Sequence, residues 1–151
     1  MISLAVIAVV VVGTMVGVEF CVAFFVNPIQ TALPVEASIA ARSHGARLLG
    51  RAMPFWYFAS LILVGGWVWL TWGQAPAAPA LVSAILLAVS VIMSVTLLVP
   101  IASRSAKWTP ETAPDDWRDQ SRRWDALHYL RVAIILAAFV LAAVALALDH
   151  V

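Results

Sequence analysis

The stretch ISLAVIAVVVVGTMVGVEFCVAFFV, residues 2–26, ends at Asn27-Pro28 and carries one charged residue, Glu19. A bilayer core roughly 30 Å thick is crossed by about 20 apolar residues of helix, so this stretch reads as a membrane span. No basic segment precedes it, its apolar run is long for a signal sequence, and no small-x-small cleavage pattern follows. A permanent helix is therefore expected, not a cleaved leader. Working outward, three more stretches meet the same length requirement: Phe55 to Trp72, Ala80 to Val99 (ending at Pro100), and Val132 to Leu148. Gly73-Gln74-Ala75-Pro76 marks the turn between the second and third.

Composition agrees. Of 151 residues, 64% are hydrophobic and 11% are charged, against about a quarter charged in a typical soluble domain. One small core cannot hide that much apolar surface. An ordinary soluble domain, a disordered chain and a nucleic-acid binder are excluded. The single cysteine, Cys21, rules out an intramolecular disulfide or a cysteine-cluster metal site. It is expected to be a small buried residue on the face of Gly13-x-x-x-Gly17, a close-packing pattern read here as packing within the chain. The expected fold is all-α: one domain, residues 1–151, forming an integral membrane four-helix bundle.

The charges orient it. The nine Lys and Arg residues are Arg42, Arg47, Arg51, Arg104, Lys107, Arg118, Arg122, Arg123 and Arg131. All lie in the connections between spans one and two or between spans three and four. Four spans put both connections on one side, and the positive-inside rule makes that side cytoplasmic, with both termini outside. The expected location is the cell membrane, multi-pass. Trp56, Tyr57, Trp67, Trp69 and Trp72 near the ends of span two read as an aromatic belt.

Both basic connections read as helical. Between Val35 and Met53 there is no proline, and Glu36, Ser43, His44, Arg47 and Arg51 share one side of a helical wheel. Span two therefore starts early, with Pro54 kinking the helix or marking the membrane segment. Pro114-Asp115-Asp116 resembles a helix start. After it Trp117, Ser121, Trp124, His128 and Arg131 align on one narrow face. That stripe faces protein, water or a ligand, or else anchors an interfacial helix in headgroups.

Glu19 sits about eight residues inside the first span, roughly 12 Å into the apolar region. A carboxylate there must be paired, protonated or hydrated. It is a candidate base, proton relay or metal ligand, or a salt-bridged structural residue. His128, one turn from both Trp124 and Arg131, is a candidate proton carrier, and Arg131 a candidate holder of an anionic oxygen. His44 on the same side completes a possible iron site with Glu19 and His128, or a pair of histidines clamping haem. Neither histidine lies in a tight ligand motif. Asn27 caps its helix or binds, and His150 is expected to be inert.

Val99-Pro100-Ile101, Arg104, Trp108, Pro114, Asp116-Trp117, Arg122-Arg123-Trp124, His128 and Arg131 together resemble the C-terminal signature of the anthrone oxygenase-like family. Gly17, Glu19, Phe25 and Asn27-Pro28 resemble its N-terminal signature. Where the family often has Asn after Val-Pro-Ile, this chain has Ala102. The resemblance implies a four-helix membrane fold and, for characterised fungal relatives, oxidation of an anthrone to an anthraquinone by molecular oxygen with no obvious cofactor.

The leading expectation is thus a membrane oxygenase acting on a lipophilic phenolic or polyketide-like substrate. Glu19 or His128 would serve as base, Arg131, Arg51 or Arg104 would hold an oxyanion, and Trp124 would stack on the ring. The alternatives are a non-catalytic membrane subunit or lipid- or quinone-binding protein, and a haem or proton-conducting protein. Expected partners are membrane lipids, a lipophilic small molecule and, in one arrangement, further copies of the chain.

Overall fold

The computed structural model describes residues 2–149, apart from the side chain of Ile2; His150 lies outside the described residues. Every element among them is helical. The order is α1 (Ile2–Cys21), a π-helical turn π1 (Val22–Val26), α2 (Asn27–Ala32), α3 (Val35–Leu70), α4 (Ala77–Met93), a second π-helical turn π2 (Ser94–Leu98), α5 (Val99–Ser105) and α6 (Trp117–Leu148). Helices α1, α3, α4 and α6 form a four-sided bundle, each packed on two others: α1 on α3 and α6, α4 on α3 and α6.

Four helical stretches are long and apolar enough to cross a membrane. The outside of the bundle carries side chains that water would not tolerate in such number, among them Phe55 (79% exposed), Ile62 (72%) and Trp69 (82%). Small residues fill the inside. Ala5, Ala8, Ala80, Ala138, Ala142 and Ala145 share one cluster with the fully buried Trp67, Leu87 and Ile135. Between helices in lipid, close packing and polar contacts replace the hydrophobic effect. Ser83 Oγ accordingly donates to the Ala138 carbonyl at 2.8 Å, and Trp56 Nε1 donates to the Val11 carbonyl at 3.1 Å.

At the chain turn after α3, Gly73 takes φ +82°, a conformation glycine enters at no steric cost. The other two connections meet at the opposite end. Ile39, Trp108 and Trp117 form a second small cluster there. Ser43 Oγ and Arg47 Nη1 both donate to the Ala106 carbonyl at the end of α5, at 3.1 and 2.8 Å. The two basic connections therefore share one end of the bundle.

The structure corrects four expectations. Span one does not end at Asn27-Pro28, nor span three at Pro100; helix continues to Ala32 and Ser105. In both cases a π-helical turn precedes the proline. In π1 the Asn27 N–H bonds to the Val22 carbonyl, five residues back. In that register Pro28, with no N–H, faces the Ala23 carbonyl, and the Tyr129 hydroxyl takes its place at 2.8 Å. Of the expected aromatic belt, Trp69 and Trp72 are exposed, whereas Tyr57 and Trp67 are buried in the bundle, because they fall on the inward face of α3. Cys21 is exposed, since it lies about 200° around the helix from the buried Glu19.

The two glycines of the Gly13-x-x-x-Gly17 pattern are not equivalent. A Cβ on Gly13 would sit 2.8 Å from the Phe139 ring, whereas one on Gly17 meets nothing within 4 Å. Gly13→Val is expected to lower thermal stability in detergent by about 1–3 kcal/mol, Gly17→Ala to leave it unchanged, and Phe139→Leu to rescue Gly13→Val. A melting series of the three variants checks this.

Candidate active site

The stripe on α6 faces protein. Trp117, Ser121, His128 and Arg131 are all buried, and the last two meet Glu19 of α1. Arg131 Nη2 donates to Glu19 Oε2 at 2.7 Å and to His128 Nδ1 at 2.9 Å. Its Nη1 donates to Ser94 Oγ at 3.0 Å, and Ser94 Oγ donates in turn to the Ser90 carbonyl at 2.7 Å. One guanidinium thus joins α1, π2 and α6. Because Arg131 occupies His128 Nδ1, the ring proton belongs on Nε2, which donates to the Glu19 backbone carbonyl at 3.1 Å. The imidazole is further fixed by Trp124, stacked on it with centroids 4.7 Å apart. Tyr57 of α3 closes the fourth side: the Arg131 guanidinium carbon lies 5.6 Å from its ring centroid, within cation–π range.

Beside this cluster is a cavity of about 350 Å³, within the range of small-molecule sites. Glu19, Asn27, Tyr57, Trp124 and Arg131 line it together with apolar side chains. Between α3 and the π2–α5 segment it reaches the outer, apolar face of the bundle, where its lining includes the exposed Phe58, Val95 and Val99. Gly45, Ala46 and Gly50 on α3, and Ala102 and Ala106 near α5, keep this side open.

The lining is polar in a specific way. Glu19 Oε1, the Tyr57 hydroxyl, Asn27 Nδ2, Trp124 Nε1, Arg42 Nε and Arg131 Nε are buried with no protein partner in hydrogen-bonding geometry, the Tyr57 hydroxyl lying near Glu19 and Ser90. Such groups cost free energy when left dry. Here six of them belong to side chains around one cavity, so an occupant of the cavity is a natural partner for them.

Of the residues singled out from sequence, Glu19, His128 and Arg131 come together, and Trp124 and Asn27 stand at the same cavity. Asn27 does not cap with its side chain; it is 4% exposed, with its amide turned to no protein acceptor. His44, Arg51 and Arg104 are placed elsewhere: all three are exposed and none lines the cavity. Arg104 Nε bonds back to the Pro100 carbonyl at 3.1 Å. The possible Glu19–His44–His128 iron set is therefore not assembled. Among the described residues, no three His, Cys, Asp or Glu side chains are grouped to hold a metal ion. A haem clamped by His44 and His128 does not fit either, because both His128 nitrogens already have protein partners. Two residues of the cavity were missed. Tyr57 read as part of an aromatic belt, and Arg42 as one of many basic residues. Arg42 is in fact held in a bidentate pair with Asp125, at 3.1 and 3.0 Å, a link between distant segments that no local pattern announces.

The sequence profile of the family described as anthrone oxygenase matches residues 45–141, from within α3 to within α6. That stretch is well over half of the chain and includes Tyr57, Trp124, His128 and Arg131; Glu19 and Asn27 precede it. No curated protein and no solved structure matches the chain.

A buried ion pair is held chiefly by the penalty for breaking it. Removing one partner typically costs about 3–5 kcal/mol, whereas removing both is far milder. Arg131→Met is expected to destabilise the protein by that amount, and Glu19→Gln combined with Arg131→Met to recover most of the loss. A double-mutant cycle measured by unfolding in mixed micelles tests this coupling.

Proposed function

The chain belongs to the anthrone oxygenase family, and from that premise we propose that it is a membrane oxygenase that oxidises a lipophilic, anthrone-type aromatic substrate with molecular oxygen. The observation that supports this reading best is the unpartnered Glu19 Oε1 at a cavity inside an apolar bundle. A carboxylate oriented by Arg131 through one oxygen, with the other free, is a ready general base.

In this reading the substrate enters from the bilayer between α3 and α5, and Glu19 Oε1 removes a proton from the methylene opposite the ring ketone. The electron-rich carbanion passes one electron to oxygen. Recombination of the two radicals, with a proton returned, gives a hydroperoxide on that carbon. Loss of water leaves the second ketone. One oxygen atom enters the product and the other leaves as water, so the four electrons come from the substrate itself. His128 is a positioning residue: it holds Arg131 and the Glu19 backbone, and both its nitrogens are engaged. The low dielectric around the pair strengthens each of these interactions. We place the basic connections in the cytoplasm and both termini on the other side, following the charge distribution.

Oxygen uptake by the protein in lipid nanodiscs supplied with anthrone is the direct test. Glu19→Gln is expected to lower the rate about 10²–10⁴-fold; a variant as active as wild type refutes the assignment of the base. Gly50 lines the cavity and a Cβ there meets nothing within 4 Å. Gly50→Trp is accordingly expected to fold normally yet raise KM for anthrone at least several-fold by obstructing the opening.

A further inference from the structure

Four of the cavity's unpartnered groups are N–H donors: Asn27 Nδ2, Arg42 Nε, Trp124 Nε1 and Arg131 Nε, the last on the side chain paired with Glu19. The first three belong to side chains linked toward the basic end of the bundle. Arg42 Nη2 donates to Thr31 Oγ1 at 2.9 Å, and Thr31 Oγ1 donates to the Asn27 carbonyl at 2.9 Å. Both Arg42 terminal nitrogens hold Asp125, the residue next to Trp124. These bonds tie α2, α3 and α6 together. They leave free the one nitrogen of each of the three side chains that protein does not use. The unpartnered acceptor, Glu19 Oε1, belongs to the other end. Eight residues separate Glu19 from Asn27, a rise of roughly 12 Å along the helix, and Trp124, stacked on His128, stands between them. That span is comparable to a tricyclic ring system with a hydrogen bond at each side.

We infer that Asn27, Arg42 and Trp124 form an oxyanion-binding wall that receives the substrate's carbonyl oxygen while Glu19 takes the proton from the far side of the ring. This rests on the oxygenase reading and narrows the substrate class to aryl ketones whose acidic hydrogen is conjugated to the carbonyl through the ring. When the proton moves to Glu19 Oε1, the electron pair left behind delocalises onto that oxygen. The carbonyl becomes an enolate oxygen, and three N–H groups without a protein partner are there to receive it. Before the step each arginine at the cavity is matched by a carboxylate: Arg42 by Asp125 and Arg131 by Glu19. After it, the negative charge has moved from Glu19 to the wall, where preorganised donors are worth most.

The test uses the full chain in nanodiscs under nitrogen and two probes with the same ring frame: anthrone, and 9,10-dihydroanthracene, which lacks the carbonyl. The wild type is expected to bind anthrone at least 10-fold more tightly. Trp124→Phe keeps an aromatic ring to stack on His128 and removes only the indole N–H. This variant and Asn27→Leu should each cut the preference several-fold, with affinity for 9,10-dihydroanthracene unchanged. The visible absorbance of bound anthrone anion should be lost in Glu19→Gln and reduced in Trp124→Phe. Equal binding of the two probes by wild type, or a preference unchanged in both variants, overturns the wall. If anthrone-dependent oxygen uptake persists in that case, the wall alone fails and the oxygenase reading stands. If neither probe binds, both fail.

Discussion

A carboxylate inside a membrane bundle has to be answered by a cation, and the pairing of Glu19 with Arg131 is the constraint around which this structure is arranged. The guanidinium does not merely neutralise. It also holds Ser94 on the third spanning stretch and His128 on its own helix, so three of the four sides of the bundle are fixed at one level. Tyr57 supplies the fourth. Arg131 completes this with its two terminal nitrogens and one side of the Glu19 carboxylate, and the remaining oxygen is left to the cavity.

The two π-helical turns serve the same level of the bundle. π1 begins three residues after Glu19, and π2 begins at Ser94 itself. Each precedes a proline that would otherwise end or sharply kink its helix. Widening the turn lets the helix pass the proline, and it leaves the Ala23 carbonyl for the Tyr129 hydroxyl to use. π-helical turns are concentrated at functional sites for this reason. Below them α2 and α5 run on toward the basic end of the bundle, and the small side chains near α5 face the glycines of α3 across the cavity.

The chemistry proposed for the cavity asks little of the protein beyond placement. An anthrone-type ring holds its own reducing electrons, so the protein must bring a base, a set of donors for the developing charge, and a path from the lipid. A bundle of apolar helices offers the path at its surface. The base and the donors have to be drawn from helices far apart in sequence.

The chain itself determined the spans, their number and the side on which the basic connections gather, because bilayer thickness and charge exclusion act on each segment separately. It also marked Glu19, and it put Trp124, His128 and Arg131 on one face, because a buried acid and a helical stripe are visible within a single stretch. Helix ends at Pro28 and Pro100 were misjudged, since the π-helical turns that rescue them draw on partners elsewhere in the fold. Only the tertiary structure separated His128 and Arg131 from His44, Arg51 and Arg104, residues alike in type and in expected side of the membrane. Whether two such side chains meet depends on how the helices are rotated against one another. Packing of small residues such as Gly13 against Phe139 sets that rotation, and no segment carries it alone.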